Sequence, residues 1–198
     1  MNKDIYLREM DMEATRGHIR YLKPYLDCIR RCVSQQNSPV LEIGIGTGLS
    51  SVYLEQSGLI NVFGIDIDED IVEHFNTKTK PQFNSNVQVI EADAFDLAEL
   101  KQDLKYIECI HHQGLLEHFS VLEIIEMLDH HTQMSNGVVV FAVPLDTHED
   151  ESEYDPDEIR WPIEKWLEII RPRYRFFEYG AFGFDHKHDQ AYFVISGK

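Results

Sequence analysis

The residues best suited to chemistry lie in one short stretch, Glu42-Ile43-Gly44-Ile45-Gly46-Thr47-Gly48, and in an acid, Asp66, that follows it. Glycines at every second position let a chain turn tightly and let a ligand approach the main chain closely. A helix opening directly after such a turn adds free amides and a positive dipole end. An acid about 20 residues on, closing the next strand, can accept hydrogen bonds from both hydroxyls of a ribose. These types in this order point to a nucleoside-bearing ligand.

The flanking sequence supplies the elements that must hold these groups. Val40–Ile43 reads as a strand, and Leu49–Leu54 as the first turns of a helix, with Gly58 placed to end it. Asn61–Ile65 is a second strand ending at Asp66, and Asp68 caps a helix to about Thr77. Val87–Ile90, Tyr106–Ile110 and Gly137–Val143 continue as strands, with helices expected near Leu97–Leu104 and from Ser120 to about His130. The last of these strands is apolar on both faces, as in the middle of a covered parallel sheet. Residues 11–36 read as helical, with Pro24 expected to kink or divide them. Ile163–Ile170 is a further helix, and Tyr174–Tyr179 and Gln190–Ser196 alternate as a hairpin with a long loop. The expected fold is α/β: a doubly wound Rossmann-like sheet, mostly parallel with a C-terminal antiparallel hairpin, and helices on both faces. With 198 residues and neither repeat nor linker, residues 1–198 are read as a single domain. It divides into an N-terminal helical segment (1–37), a cofactor-binding half (38–145), and a substrate-side insertion with the C-terminal hairpin (146–198).

The turn departs from the dinucleotide pattern G-x-G-x-x-G, because its third glycine would fall at Leu49. Glu42, two residues before the first glycine, would repel a pyrophosphate. It suits a ligand with a cationic group, and S-adenosylmethionine carries an ammonium and a sulfonium. LEIGIGTG, GIDID and IEADAFD resemble the first three signature regions of the class I S-adenosylmethionine-dependent methyltransferases. HHQGLLEHF resembles the segment after the fourth strand in the small-molecule branch of that family. The likeness covers roughly residues 38–145.

The resemblance implies cofactor contacts residue by residue. Gly44, Gly46, Thr47 and Gly48 would surround the methionine part, with Glu42 near its ammonium. Asp66 matches the ribose-binding acid and Ile67 the apolar residue packed on the adenine. Asp93 matches the acid that accepts from the adenine amino group, with Ala94 beside it. His111 and His112 match residues at the mouth of the fourth strand, near the sulfonium. The Asn-Pro-Pro-Tyr type of signature, typical of enzymes acting on amide or base nitrogens, is absent, which argues against a glutamine or DNA-adenine acceptor. Glu117-His118 is either a pocket wall or a solvated helix start.

Methyl transfer from a sulfonium is an in-line displacement, in which orientation alone supplies roughly 7–11 kcal/mol in favourable cases. A hydroxyl or ammonium acceptor must also lose a proton, and histidine is suited to take it. His112 and His148 are the candidates. No histidine shows a complete ligand spacing with a carboxylate, and Asp146 alone makes no site, so no metal is expected. His186-x-His188-Asp189 reads as a solvated turn. Cys28, Cys32 and Cys109 are odd in number and read as reduced thiols. The segment Leu145–Trp161 is expected to cover the acceptor, with His148, Tyr154 and Trp161 closing over it.

Composition bounds the partners. There are 18 basic and 35 acidic residues, a formal net charge of −17, which disfavours nucleic acid and anionic membranes. The N-terminus has no apolar secretory core and no run is long enough to span a bilayer, so the cytoplasm is the expected location. The expected activity is methyl transfer to a small-molecule acceptor. The alternatives are a non-catalytic S-adenosylmethionine-binding regulatory module and an NAD-dependent oxidoreductase, against which the missing glycine counts. The acceptor's identity and the oligomeric state are not legible.

Overall fold

A computed structural model of the chain describes residues 19–97, 100, 106–147, 158–183 and 189–198. Seven strands form one sheet in the order β3-β2-β1-β4-β5-β7-β6. These are β1 (Val40–Ile43), β2 (Val62–Asp66), β3 (Gln88–Glu91), β4 (Ile107–Gln113), β5 (Ser135–Pro144), β6 (Arg175–Phe182) and β7 (Gln190–Ser196). The first five run parallel, and β7 joins β5 and β6 in antiparallel register. The expected doubly wound sheet with its C-terminal hairpin is the observed one.

The period of the strands explains why both faces carry helices. In β5, Val139, Phe141 and Val143 enter one core, with Ile124, Met127 and Leu128 of helix α5 (Val121–Met134) and Trp166 and Ile170 of α6 (Ile163–Arg173). Val140 and Ala142 enter the other, with Leu22, Leu26 and Ile29 of α1 (Ile19–Cys32) and Val52 of α2 (Leu49–Gln56). Alternate residues facing opposite layers, all apolar, are what a central strand buried on both sides requires.

Local signals set the element ends. Ser120 accepts from Glu123 N while Glu123 accepts from Ser120 N, a capping box that starts α5. Asp68 accepts from Asp70 N and opens α3 (Glu69–His74). This helix does not stop near Thr77. It passes through a π turn, Phe75–Thr79, into α4 (Lys80–Phe83), where Pro81 occupies the first turn, and ends at Asn84 in the left-handed region. Because the helix is continuous there, Pro81 removes an N–H from its interior, and the π turn directly before it is where the helical ladder is irregular. Helix α1 likewise runs unbroken through Pro24; Leu22, Tyr25, Leu26 and Ile29 are buried on either side of it.

Strand β4 is longer than expected. It continues past Ile110 to Gln113, in register with β5 up to Ala142, and so takes His111 and His112 into the sheet. All three cysteines are free. Among the described residues, no helix is long and apolar enough to cross a membrane. The expected helix near Leu97–Leu104 lies outside the described residues apart from Leu97 and Leu100, both buried. The central part of the expected cover, with His148 and Tyr154, and the His186 and His188 turn also lie outside them. Trp161, at the end of that cover, packs on Trp166 with ring centroids 5.1 Å apart, against the core.

Candidate functional site

The strand order reverses between β1 and β4, the place where open α/β sheets hold ligands at the carboxyl ends of their strands. A cleft of about 490 Å³ lies there. Its walls come from four connections: Gly44 and Gly46 after β1, Asp66 and Ile67 at the end of β2, Ala92–Phe95 after β3, and Gly114, Leu115, His118 and Phe119 after β4.

The glycine turn owes its shape to backbone bonds. Ile45 N donates to Ile65 O at 2.9 Å and Gly48 N to Ile45 O at 2.8 Å. Gly46 and Gly48 have φ of 48° and 71°, a region costly for residues with a Cβ. Thr47 Oγ1 accepts from Leu49 N at 3.4 Å at the start of α2. Gly48 faces inward; a Cβ there would lie 2.3 Å from the ring of Phe75. Its role is therefore one of packing, and the cleft wall is left to Gly44 and Gly46.

Asp66 stands at the junction of two connections. Its Oδ2 accepts from Gly46 N at 3.3 Å and its Oδ1 from Asp68 N at 3.1 Å. Burial raises its carboxyl above the ordinary range, and these amides oppose the shift. Ile67 beside it is 67% exposed, an uncovered apolar side chain on the cleft wall. Asp93 is exposed on the far wall and its Oδ1 accepts from Phe95 N at 2.9 Å, so the acid also shapes its own turn.

Glu42 is not on the cleft wall. It is buried under α2, where its Oε2 accepts from Ser51 N at 3.1 Å and Ser51 Oγ at 2.6 Å. Burial pushes its carboxyl up to about 7, against the pull of the Ser51 bonds.

The paired histidines sit deeper than the sequence suggests. His111 shares a hydrogen bond with Tyr25 through Nδ1 at 3.1 Å, and burial lowers it to about 3. His112 is fully buried, stacked on Phe141 with centroids 5.7 Å apart, and neither ring nitrogen has a partner among the described residues. Burial holds it well below its ordinary value. Neither histidine lines the cleft. The expectation that His112 takes a proton from an acceptor is therefore corrected: the extended β4 encloses it. His148 lies outside the described residues.

Other residues occupy the places left open. His118 and Leu115 reach the cleft, and Glu117 is buried directly behind them, its carboxyl raised by burial to about 8. Two helix α5 residues hold the far wall: His130 Nδ1 donates to Phe95 O at 2.7 Å and His131 Nε2 to Ala94 O at 3.2 Å. Carbonyls only accept, so these bonds fix which nitrogen carries the proton. No spacing in the sequence announces that link between α5 and the β3 connection.

The family description "methyltransferase domain" matches residues 40–134, which contain every wall of this cleft. Residues 40–134 form a methyltransferase domain of the class I S-adenosylmethionine-dependent kind. S-adenosylmethionine is the cofactor of this family and methyl transfer its reaction. The chain superposes on an Aquifex aeolicus S-adenosylmethionine-dependent methyltransferase with a TM-score of 0.72 at 14% identity, covering 96% of this chain and 97% of that one. It superposes on Synechocystis magnesium protoporphyrin IX methyltransferase, solved with bound S-adenosylmethionine, with a TM-score of 0.70 at 14% identity, covering 95% and 84%. At such identities the likeness is one of fold. A Methanocaldococcus jannaschii protein named as a protein N5-glutamine methyltransferase is 33% identical over 76 residues, which are 38% of this chain and 38% of that protein.

Proposed function

We propose that the cleft binds S-adenosylmethionine and that the chain moves its methyl group to a small-molecule acceptor. The observation that carries the reading is the placement of Asp66: a carboxylate on the cleft wall at the end of β2, hydrogen-bonded to the glycine turn. The residues present fit the cofactor. Asp66 offers an acceptor for ribose hydroxyls, Ile67 an exposed apolar face for a purine, and Asp93 an acid at the opposite wall. Gly44 and Gly46 leave the main chain bare where the methionine part would lie. Glu42 ties β1 to α2 beneath the turn through Ser51 and lies off the cleft wall, so it supports the site and does not touch the ligand.

The cofactor supplies an activated methyl group on a sulfonium. The chain's part is to hold acceptor and cofactor in line and to keep water out; Leu115, Phe119 and Phe95 provide the apolar wall for that. A small acceptor is supported by the residues after β4. The Asn-Pro-Pro-Tyr type of signature, typical of enzymes acting on amide or base nitrogens, is absent there. The net charge of −17 also disfavours anionic macromolecules.

Calorimetry on the full chain with S-adenosylmethionine, S-adenosylhomocysteine and NAD in parallel tests the cofactor: the first two should bind and NAD should not. Formation of S-adenosylhomocysteine with small hydroxyl, amine and thiol compounds, beside glutamine-containing peptides, tests the acceptor. Turnover confined to the peptides would replace the small-molecule reading with a protein one. Cofactor binding without turnover on any acceptor would favour a regulatory module.

A further inference from the structure

We infer that Glu117, His118 and Glu158 form a binding site for a divalent transition-metal ion at the edge of the cleft. Glu117 and His118 belong to the single 3-10 turn Leu116–His118 that follows β4, and Glu158 to the segment that leads into α6. The two segments are joined by Ile159 N, which donates to Glu117 O at 2.7 Å. One ligating atom from each of the three side chains lies within 4.8 Å of the others.

The buried carboxylate marks this cluster as more than a meeting of surface charges. Glu117 is 3% exposed, yet its Oε2 has no hydrogen-bond partner among the described residues. A buried carboxylate oxygen without a partner is costly, and coordination by a cation removes that cost. Glu158 is held in place by Arg160, whose Nη2 and Nε donate to its Oε2 at 3.0 and 3.3 Å. That leaves the position of Glu158 fixed before any ion arrives, and the single Arg160 charge faces two acids.

The donor set indicates the class of ion. One imidazole and two carboxylates suit zinc, manganese, iron or cobalt; magnesium and calcium favour all-oxygen sites. Metal–ligand bonds of about 2.0–2.2 Å allow donor atoms from such a cluster to share one ion after small side-chain adjustments. Three protein ligands leave coordination positions open, the arrangement of catalytic more than structural sites. His118 lines the cleft, so an open position would face the space next to the proposed cofactor. There it would hold an acceptor oxygen or nitrogen, a role that rests on the methyl-transfer reading; the binding of the ion itself does not.

Manganese is the probe. The untagged full chain, treated with chelator and dialysed, should bind one Mn²⁺ per chain saturably, read by the loss of its free-ion magnetic-resonance signal and by calorimetry. Glu117→Gln and Glu158→Gln should each weaken binding at least about tenfold, since outer-shell changes at metal sites already cost about 10- to 100-fold. His186→Ala combined with His188→Ala should leave it unchanged, which separates this site from adventitious histidine binding. Circular dichroism and S-adenosylhomocysteine affinity verify that the variants are folded. No saturable binding, or binding unaffected by both glutamate changes, overturns the site. Intact Mn²⁺ binding in a chain that fails to bind S-adenosylhomocysteine would count against the proposed function and leave the metal site standing.

Discussion

Asp66 Oδ2 accepts a hydrogen bond from Gly46 N at 3.3 Å, joining the end of β2 to the middle of the glycine turn. The acid that the sequence assigns to the ligand therefore also fixes the loop that meets the ligand's other end. Removing it should do two things at once: delete an acceptor for ribose and loosen the turn.

A lost hydrogen bond to a charged acceptor costs about 1.5–3 kcal/mol. Asp66→Ala should accordingly reduce S-adenosylhomocysteine affinity by roughly ten- to a hundredfold in calorimetry. The far-ultraviolet circular dichroism should match the wild type. A folded variant with unchanged affinity would sink the assignment of Asp66.

Gly48 should matter for stability more than for binding. A Cβ there would lie 2.3 Å from the Phe75 ring, which is fully buried, and the backbone is left-handed. The backbone penalty is about 1–2 kcal/mol and overpacking adds about 1–3 kcal/mol. Gly48→Ala should thus cost about 2–5 kcal/mol in denaturant unfolding. In a Phe75→Leu background the same substitution should cost less, because part of the clash is gone. Equal cost in both backgrounds would show that Phe75 is not the obstacle.

The elements carrying short-range signals were legible. The glycine turn, Asp66 at a strand end, and the helix start at Ser120 each depend on residues close in sequence, so spacing reveals them. His111 and His112 were misplaced by a boundary: nothing in Ile110-His111-His112-Gln113 marks a strand end or its continuation, and pairing with Val140–Ala142 of β5 decides it. Likewise the helix expected to end near Thr77 runs on, because tertiary burial of Phe75 and Thr79 carries it onward. Glu158 meeting Glu117, and His131 meeting Ala94, are long-range contacts that only the fold creates.

Glu42 predicts a pH-dependent stability of one sign. Its carboxyl is raised from 4.5 to about 7 in the folded chain, so between these values the folded state holds a proton that the unfolded state has lost. Stability should then fall as pH rises through that window, by up to about 3 kcal/mol for this one group. Glu42→Gln removes the titration and keeps an oxygen for Ser51. Unfolding free energies near pH 5 and pH 8 should show the variant gaining on the wild type at the higher pH. A constant difference would mean that Glu42 ionises normally in the fold.

His131 predicts the opposite sign. Its ring is buried, and its value is lowered from 6.5 to about 4, chiefly by burial, while the Ala94 carbonyl works the other way. Below about pH 6.5 the unfolded chain takes up a proton that the folded chain refuses, so stability is lost as pH falls toward about 4. His111 and His112, also lowered by burial, add to the same loss. Glu42 and Asp66 oppose it, so the wild-type curve alone does not isolate the histidines. The difference between His131→Gln and wild type does, because the groups remote from it cancel and His112, which packs on its ring, shifts in the same direction. Glutamine preserves an N–H donor for Ala94 and does not titrate. Below pH 6.5 the variant's stability should decline less steeply, by about 1 kcal/mol per pH unit, in a urea series stepped through that range. Its S-adenosylhomocysteine affinity near neutral pH should change little if the glutamine keeps the Ala94–Phe95 connection in place. Parallel stability curves would show that His131 is protonated in the folded chain, and the hydrogen bond to Ala94 would then carry a buried positive charge.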